Sequence, residues 1–170
     1  MLSTSSLPSP VGTLTLVASD IGLVAVLWPD DRPGRVVLAP TIEAADHPVL
    51  IETERQLRAY FAGERTCFTI PLDPRGTDFQ KTVWTALLAI PFSETRSYAD
   101  IARAIGRPAA TRAVGAANGR NPISIVTPCH RVIGSGGALT GFAGGLAAKR
   151  WLLAHERATC APAQAGASAR

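Results

Sequence analysis

Late in the chain an apolar run, Ile125-Val126-Thr127, leads into Pro128-Cys129-His130-Arg131, and apolar residues resume at Val132-Ile133. A cysteine is a nucleophile only as its thiolate, and it forms readily where a neighbour accepts the proton. Histidine is the side chain suited to that task at neutral pH. Taken alone, the pair leaves two readings open. It is either a reactive thiol with its base, or a small buried hydrophobe beside a chance histidine. In an extended strand the two side chains would point to opposite faces. They can cooperate only through a turn or a bridging water.

The elements around the pair follow from periodicity and punctuation. Residues 11–28 read as a hairpin: Leu14, Leu16 and Ala18 alternate with more polar positions, Asp20-Ile21-Gly22 turns, and Leu23 to Trp28 is a more buried strand. Arg35 to Ala39 reads as a third, short strand. His47-Pro48 opens a helix to about Phe61, with Val49, Leu50, Leu57, Tyr60 and Phe61 on one face and Gly63 ending it. Pro71 to Gly76 is a linker. Cys67 and His47 read as structural or merely exposed.

Beyond the linker, Asp78 can cap a helix running to about Ile90. Ser97 can cap Tyr98 to Ile105, which stops at Gly106. Arg107-Pro108 then leads into Ala109 to Asn118. Two short helices so joined read as a helix-turn-helix or as an ordinary helical hairpin. The second is mostly Ala and Gly with one long basic side chain, Arg112, near its start. Ile123 to Thr127 reads as strand-like, Thr140 to Gly145 as a Gly-rich loop, and Leu146 to Glu156 as a last helix whose Lys149 and Arg150 are solvated. The expected fold is α+β, with a small N-terminal antiparallel-sheet domain over residues 1–76 and a mainly helical domain over residues 77–157. Residues 158–170 read as a flexible tail.

Composition narrows the function classes. The chain has 170 residues and a net charge of +4, unevenly spread. Residues 1–77 hold six Lys/Arg against nine Asp/Glu, whereas residues 78–156 hold nine against four. The basic half is therefore the one with Cys129, as binding to a polyanion requires. Three cysteines, Cys67, Cys129 and Cys160, argue against a disulfide framework and for a reducing compartment. Cys and His do not recur at zinc-ligand spacings, so neither metal nor cofactor is expected. No apolar run is long enough to span a bilayer, and Met1 to Ser6 lacks a signal-peptide pattern. A cytoplasmic monomer without membrane contact is the expectation.

Pro128-Cys129-His130-Arg131-Val132-Ile133-Gly134, then Thr140-Gly141-Phe142-Ala143-Gly144-Gly145-Leu146 and Leu152-Leu153-Ala154-His155-Glu156, resemble the O6-alkylguanine-DNA alkyltransferases. The resemblance runs from about Asp78 to Glu156 and extends loosely to Ser9-Pro10-Val11-Gly12-Thr13-Leu14. It implies a ribonuclease H-like N-terminal domain and direct repair of O6-alkylguanine, and of O4-alkylthymine, in double-stranded DNA. The alkyl group passes irreversibly to Cys129, so each molecule reacts once. His130 would take the thiol proton through a water, Glu156 would orient His130, and Asn121 would brace the turns around Cys129. Tyr98 would donate to guanine N3. The carbonyls of Cys129 and Val132 and the amide of Ala143 would hold the base. Arg112 would fill the space left by a base flipped out of the stack, with Ala113 and Gly115 on a helix entering the minor groove. The sequence leaves open whether binding along DNA is cooperative, and the zinc that some relatives carry has no ligand set here.

Three departures from the family pattern stand out. Ser93 replaces a frequent Gly, Phe142 replaces a frequent Tyr beside the alkyl pocket, and Asn118 and Ser124 occupy variable pocket positions. Rival readings are an alkyltransferase-like damage sensor that does not repair, a Cys–His hydrolase, and a methylation-triggered transcriptional sensor. The first lacks the reactive Cys, the second needs an oxyanion hole, and the third needs a fused regulatory domain.

Overall fold

The computed structural model describes residues 1–161. It opens with a strand the sequence pattern did not announce, β1 (Leu2–Leu7), because its Ser-Thr-Ser-Ser centre carries no apolar alternation. The expected hairpin follows as β2 (Leu14–Ala18) and β3 (Leu23–Leu27). The strand expected over Arg35–Ala39 is absent. Arg35 is instead drawn inward to side-chain and main-chain partners, Val37 is 84% exposed, and the next strand is β4 (Thr41–Glu43). The sheet order is β3-β2-β1-β4. Its β1–β4 pair is parallel, so the sheet is mixed where a wholly antiparallel one was expected.

Helix α1 (Pro48–Phe61) starts at His47, whose ring accepts from Val49 N, with Pro48 in the first turn where its missing N–H is harmless. It buries Leu50, Leu57 and Tyr60 against the sheet. Helix α2 (Asp78–Leu88) is capped by Thr77 rather than Asp78, in a reciprocal capping box with Gln80. A two-residue strand β5 (Arg96–Ser97) leads into α3 (Tyr98–Ala104), which Ser97 and Asp100 cap in the same way. A short turn then leads to α4 (Thr111–Gly119).

Residues 123–127 do not form the expected strand. They make isolated bridges only, Val26 to Ile123 and Ser124 to Thr127. Cys129–Arg131 is a single 3₁₀ turn, followed by β6 (Val132–Ile133), which pairs with β5. Helix α5 (Leu146–Cys160) runs three residues into the expected tail. Residues 162–170, the rest of that tail, lie outside the described residues. No helix among the described residues is long and apolar enough to cross a membrane.

Two cores meet at the segment before Cys129. Ile123, Ile125 and Val126 join the sheet, α1 and α5 in one. Cys129 and Val132 join α2, α3 and α4 in the other. The nucleophile candidate therefore stands where the N-terminal layer and the helical layer are welded.

Candidate functional site

The turns that present Cys129 are held by Asn121. Its side-chain amide donates to Thr127 O at 2.9 Å, and its carbonyl accepts from Ile123 N at 3.1 Å. The Ile123 amide would otherwise be left unpaired in the interior, while Thr127 O also accepts from the Cys129 amide at 2.8 Å. The segment carries strain: Ile125 is fully buried with φ 73°, a left-handed conformation that costs a β-branched residue about 1–3 kcal/mol. The N-terminal domain helps to hold it there. Arg35 donates to Asn121 O at 2.8 Å, Trp28 Nε1 donates to Ser124 Oγ at 3.0 Å, and Val26 N donates to Pro122 O at 2.9 Å.

Cys129 and His130 occupy successive positions of a 3₁₀ turn, three residues to the turn, and not the opposite faces of a strand. Cys129 is 3% exposed, and burial pushes its thiol up, with Asn121, Arg35, Lys149 and Ser124 pulling the other way. His130 is fully buried, and burial pushes its ring below the usual histidine range, with Glu156 opposing the shift. His130 Nε2 lies 2.8 Å from Glu156 Oε1. Burial alone would raise the Glu156 carboxyl, but hydrogen bonds and charge from His130 and Arg131 hold it down at about 2. An ionised carboxylate only accepts, so Nε2 carries the proton and Nδ1 the lone pair. Nδ1 has no hydrogen-bond partner among the described residues.

Glu156 is the hub of the site. Arg131 grips it through Nε to Oε2 at 3.0 Å and Nη2 to Oε1 at 2.9 Å. Arg131 also donates to Ile90 O at 2.8 Å and lies over the Phe92 ring. Tyr60 donates to Oε1 at 2.9 Å, and the Ser93 amide donates to Oε2 at 3.3 Å. Ser93 reaches that position with φ 65°, which the expected Gly would adopt without strain.

Lys149, read from sequence as solvated, is fully buried. Its ammonium donates to Val132 O at 2.6 Å and to Thr140 O at 3.5 Å, which ties β6 to the Gly-rich loop. Burial lowers its pKa, and a thiolate at Cys129 would oppose that. Arg150 is exposed, as expected. Tyr98 is half-buried at the first position of α3 and its hydroxyl lies 2.7 Å from Thr140 Oγ1. Asn118 Nδ2 donates to Cys129 O at 3.5 Å. Phe142 packs edge-on against Trp28 with ring centroids 5.3 Å apart. With Ala143, Gly119 and Arg35 it lines a cleft of about 570 Å³. On α4, Val114, Ala117 and Asn118 face the core, while Arg112, Ala113 and Ala116 face solvent. Gly115 faces the Tyr98 ring, and an added Cβ there would stand 3.8 Å from it, an ordinary contact distance.

The structure thus brings Cys129, His130, Glu156 and Asn121 together in the interior, and sets Tyr98, Val132, Phe142 and Ala143 around them. Arg112 stands apart on the outer face of α4. Sequence reasoning missed Tyr60, Arg35 and Lys149 as partners of the site, and it passed over Arg131. Arg131 carried the one available signal, a charged residue inside an apolar run.

Two family models match the chain. That of the 6-O-methylguanine DNA methyltransferase, ribonuclease-like domain, covers residues 2–74. That of the 6-O-methylguanine DNA methyltransferase, DNA binding domain, covers residues 78–158. A methylated-DNA–protein-cysteine methyltransferase of Mycobacterium tuberculosis is 50% identical over 159 residues, which is 92% of this chain and 93% of that protein. One from Methanosarcina acetivorans is 48% identical over 148 residues, 87% and 94% of the two chains. The crystal structure of Mycobacterium tuberculosis OGT in complex with DNA matches with a TM-score of 0.85 at 47% identity, covering 92% and 94%.

Proposed function

Since the chain belongs to the 6-O-methylguanine DNA methyltransferase family, its activity is that of a methylated-DNA–protein-cysteine methyltransferase repairing O6-methylguanine in DNA, and we propose that Cys129 is the residue that takes and keeps the alkyl group. The Cys129 proton passes to Nδ1 of His130 through a water. The sulfur then forms a bond to the alkyl carbon as the bond from that carbon to O6 breaks. The electron pair of the broken bond stays on guanine. Tyr98 donates a hydrogen bond or proton at N3 to offset that charge. The products are a thioether on Cys129 and an unmodified guanine. Nothing in the site hydrolyses a thioether, so the reaction is single-turnover.

One observation carries this reading: His130 Nε2 is committed to Glu156 at 2.8 Å, leaving Nδ1 as the buried ring's unpartnered atom. That arrangement makes His130 a base toward Nδ1 and steadies the imidazolium that forms, the nucleophile–base–orienter logic of activated thiols. Asn121 positions the nucleophile through the turns it braces. Lys149 and Arg35 supply positive potential that favours a thiolate in a site whose burial opposes one.

Cys129 is too enclosed to meet a base inside a duplex. The base is flipped out, at a cost of a few kcal/mol, and enters beside the cleft lined by Phe142 and Ala143. The carbonyls of Cys129 and Val132 and the amide of Ala143 hold its edge. Exposed Arg112 fills the gap in the stack, and the small residues Ala113 and Gly115 let α4 approach the minor groove. The minor groove offers little sequence information, which suits repair in any context. The domain division falls at residues 76 and 77, and the protein acts on DNA as a monomer.

The test is mass spectrometry after mixing the protein with a duplex holding one O6-methylguanine. The expected result is one methyl on the peptide containing Cys129 and restored guanine, with no transfer by Cys129→Ala, which still binds the duplex. A methyl on Cys67 or Cys160, or transfer by Cys129→Ala, would overturn the assignment. Unmodified protein that stays bound would favour a damage sensor.

A further inference from the structure

Tyr60 sits in the last turn of α1, in the N-terminal domain, and is fully buried. Its hydroxyl reaches Glu156 Oε1 across 96 positions of sequence at 2.9 Å. The ring cannot wander. Phe61, Phe68, Phe92 and His155 surround it with centroids 5.4, 5.5, 6.2 and 5.3 Å away. His155 Nε2 also donates to the Tyr60 carbonyl at 2.7 Å. Burial and the neighbouring carboxylate keep the phenol protonated far beyond its usual range, so it is a constant O–H donor.

Oε1 is the same oxygen that faces His130 Nε2. A base must be neutral before it can accept a proton. A buried carboxylate with few donors would hold its imidazole as imidazolium, which could accept nothing from Cys129. Each donor on Oε1 spreads that charge and weakens its pull on the ring. Among the described residues, Arg131 and Tyr60 are the two donors that share Oε1 with His130, and Tyr60 is the one supplied by the N-terminal domain. We propose that Tyr60 is a positioning residue for alkyl transfer: its hydroxyl fixes Oε1 against His130 Nε2 and tempers the carboxylate, so that the N-terminal domain sets the proton affinity of the base. The inference rests on the Cys129–His130–Glu156 relay proposed above and deepens it.

The titratable and charged groups around this pair come from every packed element. They are Tyr60 from α1, Cys129 and Arg131 from the 3₁₀ turn, and Lys149 and His155 from α5, with Arg35 facing Cys129. Tyr60→Phe isolates one of them. It keeps the ring and its packing, and leaves Glu156 held by Arg131 and Ser93.

The experiment is the single-turnover rate of methyl transfer from saturating duplex, measured from about pH 5 to 8, with thermal unfolding and duplex affinity as controls. Tyr60→Phe is expected to move the acid limb of the profile up by roughly half to one pH unit. Inside that limb the rate falls about three- to tenfold, and the plateau stays within about twofold. In a Glu156→Gln background, or in His130→Ala where the former does not fold, the shift is expected to vanish. An unmoved limb overturns the proposal, as does a uniformly lower plateau with the limb in place, which is what a purely structural role gives. A shift that persists without Glu156 or His130 also overturns it. If His130→Ala by itself keeps the wild-type plateau and limb, the relay fails, and that outcome is distinct from a failure of Tyr60 alone.

Discussion

Ser93→Gly is expected to stabilise the protein, although glycine substitutions usually do the reverse. Ser93 sits at φ 65°, and its amide is one of the donors on Glu156. A left-handed conformation costs an L-residue roughly 1–2 kcal/mol, and glycine adopts it without that cost. Glycine's larger unfolded-state entropy takes back about 0.4–1 kcal/mol. The balance is a gain of about 0.5–1 kcal/mol, or roughly 1–4 °C in Tm for a chain of this size. Ser93→Ala is the control, because it keeps the strain and the amide and alters only the hydroxyl. It is expected to stay within about 0.5 kcal/mol of wild type. Urea unfolding of the three proteins measures the differences, and single-turnover methyl transfer checks that the glycine variant keeps its rate. A glycine variant no more stable than Ser93→Ala would refute the strain argument. A stabilised variant with a slower transfer would refute the claim that the amide, and not the residue's rigidity, serves Glu156.

Three further outcomes follow from the same geometry. The Glu156 carboxyl stands at about 2 in the fold, below its ordinary 4.5, so its contribution is complete above the unfolded value and lost as pH falls from about 4.5 toward 2; about 3 kcal/mol is at stake. Urea midpoints should therefore drop steeply over that window, whereas Glu156→Gln should be destabilised near neutrality by about 3–5 kcal/mol, with Arg131 left unpaired, and show a flatter pH dependence; equal slopes would count against the ion-pair reading. Arg112→Ala should slow repair of duplex lesions more than transfer from the free alkylated base, and equal slowing on both substrates would remove its role in the stack. Lys149→Met removes a cation that favours the Cys129 thiolate, so the midpoint of iodoacetamide reactivity at Cys129 should move to higher pH; an unmoved midpoint would leave Lys149 with only its carbonyl-tying role.

Local chemistry was legible in the amino-acid order. Ser97 and Pro48 announce helix starts because caps and first-turn prolines act within a few residues. Gly63 and Gly106 mark stops because a positive φ is a property of one residue. Cys129, His130, Asn121 and Glu156 were legible as candidates because their motif is itself short-range or aligned by resemblance. The errors are of the other kind. Asp78 lost the cap to its neighbour Thr77, whose hydroxyl alone closes a box with Gln80. Residues 123–127 look like a strand by composition, but Asn121 and Arg35 supply hydrogen bonds that let Ile125 sit in a left-handed turn.

Lys149 and Tyr60 mark the boundary most clearly. Both lie on helices where the pattern assigns one to solvent and the other to an apolar face. Whether a lysine on a helix meets water or the carbonyls of Val132 and Thr140 depends on what packs over it. Whether a core tyrosine's hydroxyl merely finds a partner or joins a relay depends on a carboxylate 96 residues away. Sequence by itself marked the candidate nucleophile and its candidate base, together with the helices and the β2–β3 hairpin, since those rest on residue chemistry and near-neighbour geometry. Only the tertiary structure decided which donors converge on Glu156 and which cations bear on the Cys129 thiol, because buried electrostatics depends on distances between segments that the chain order does not encode.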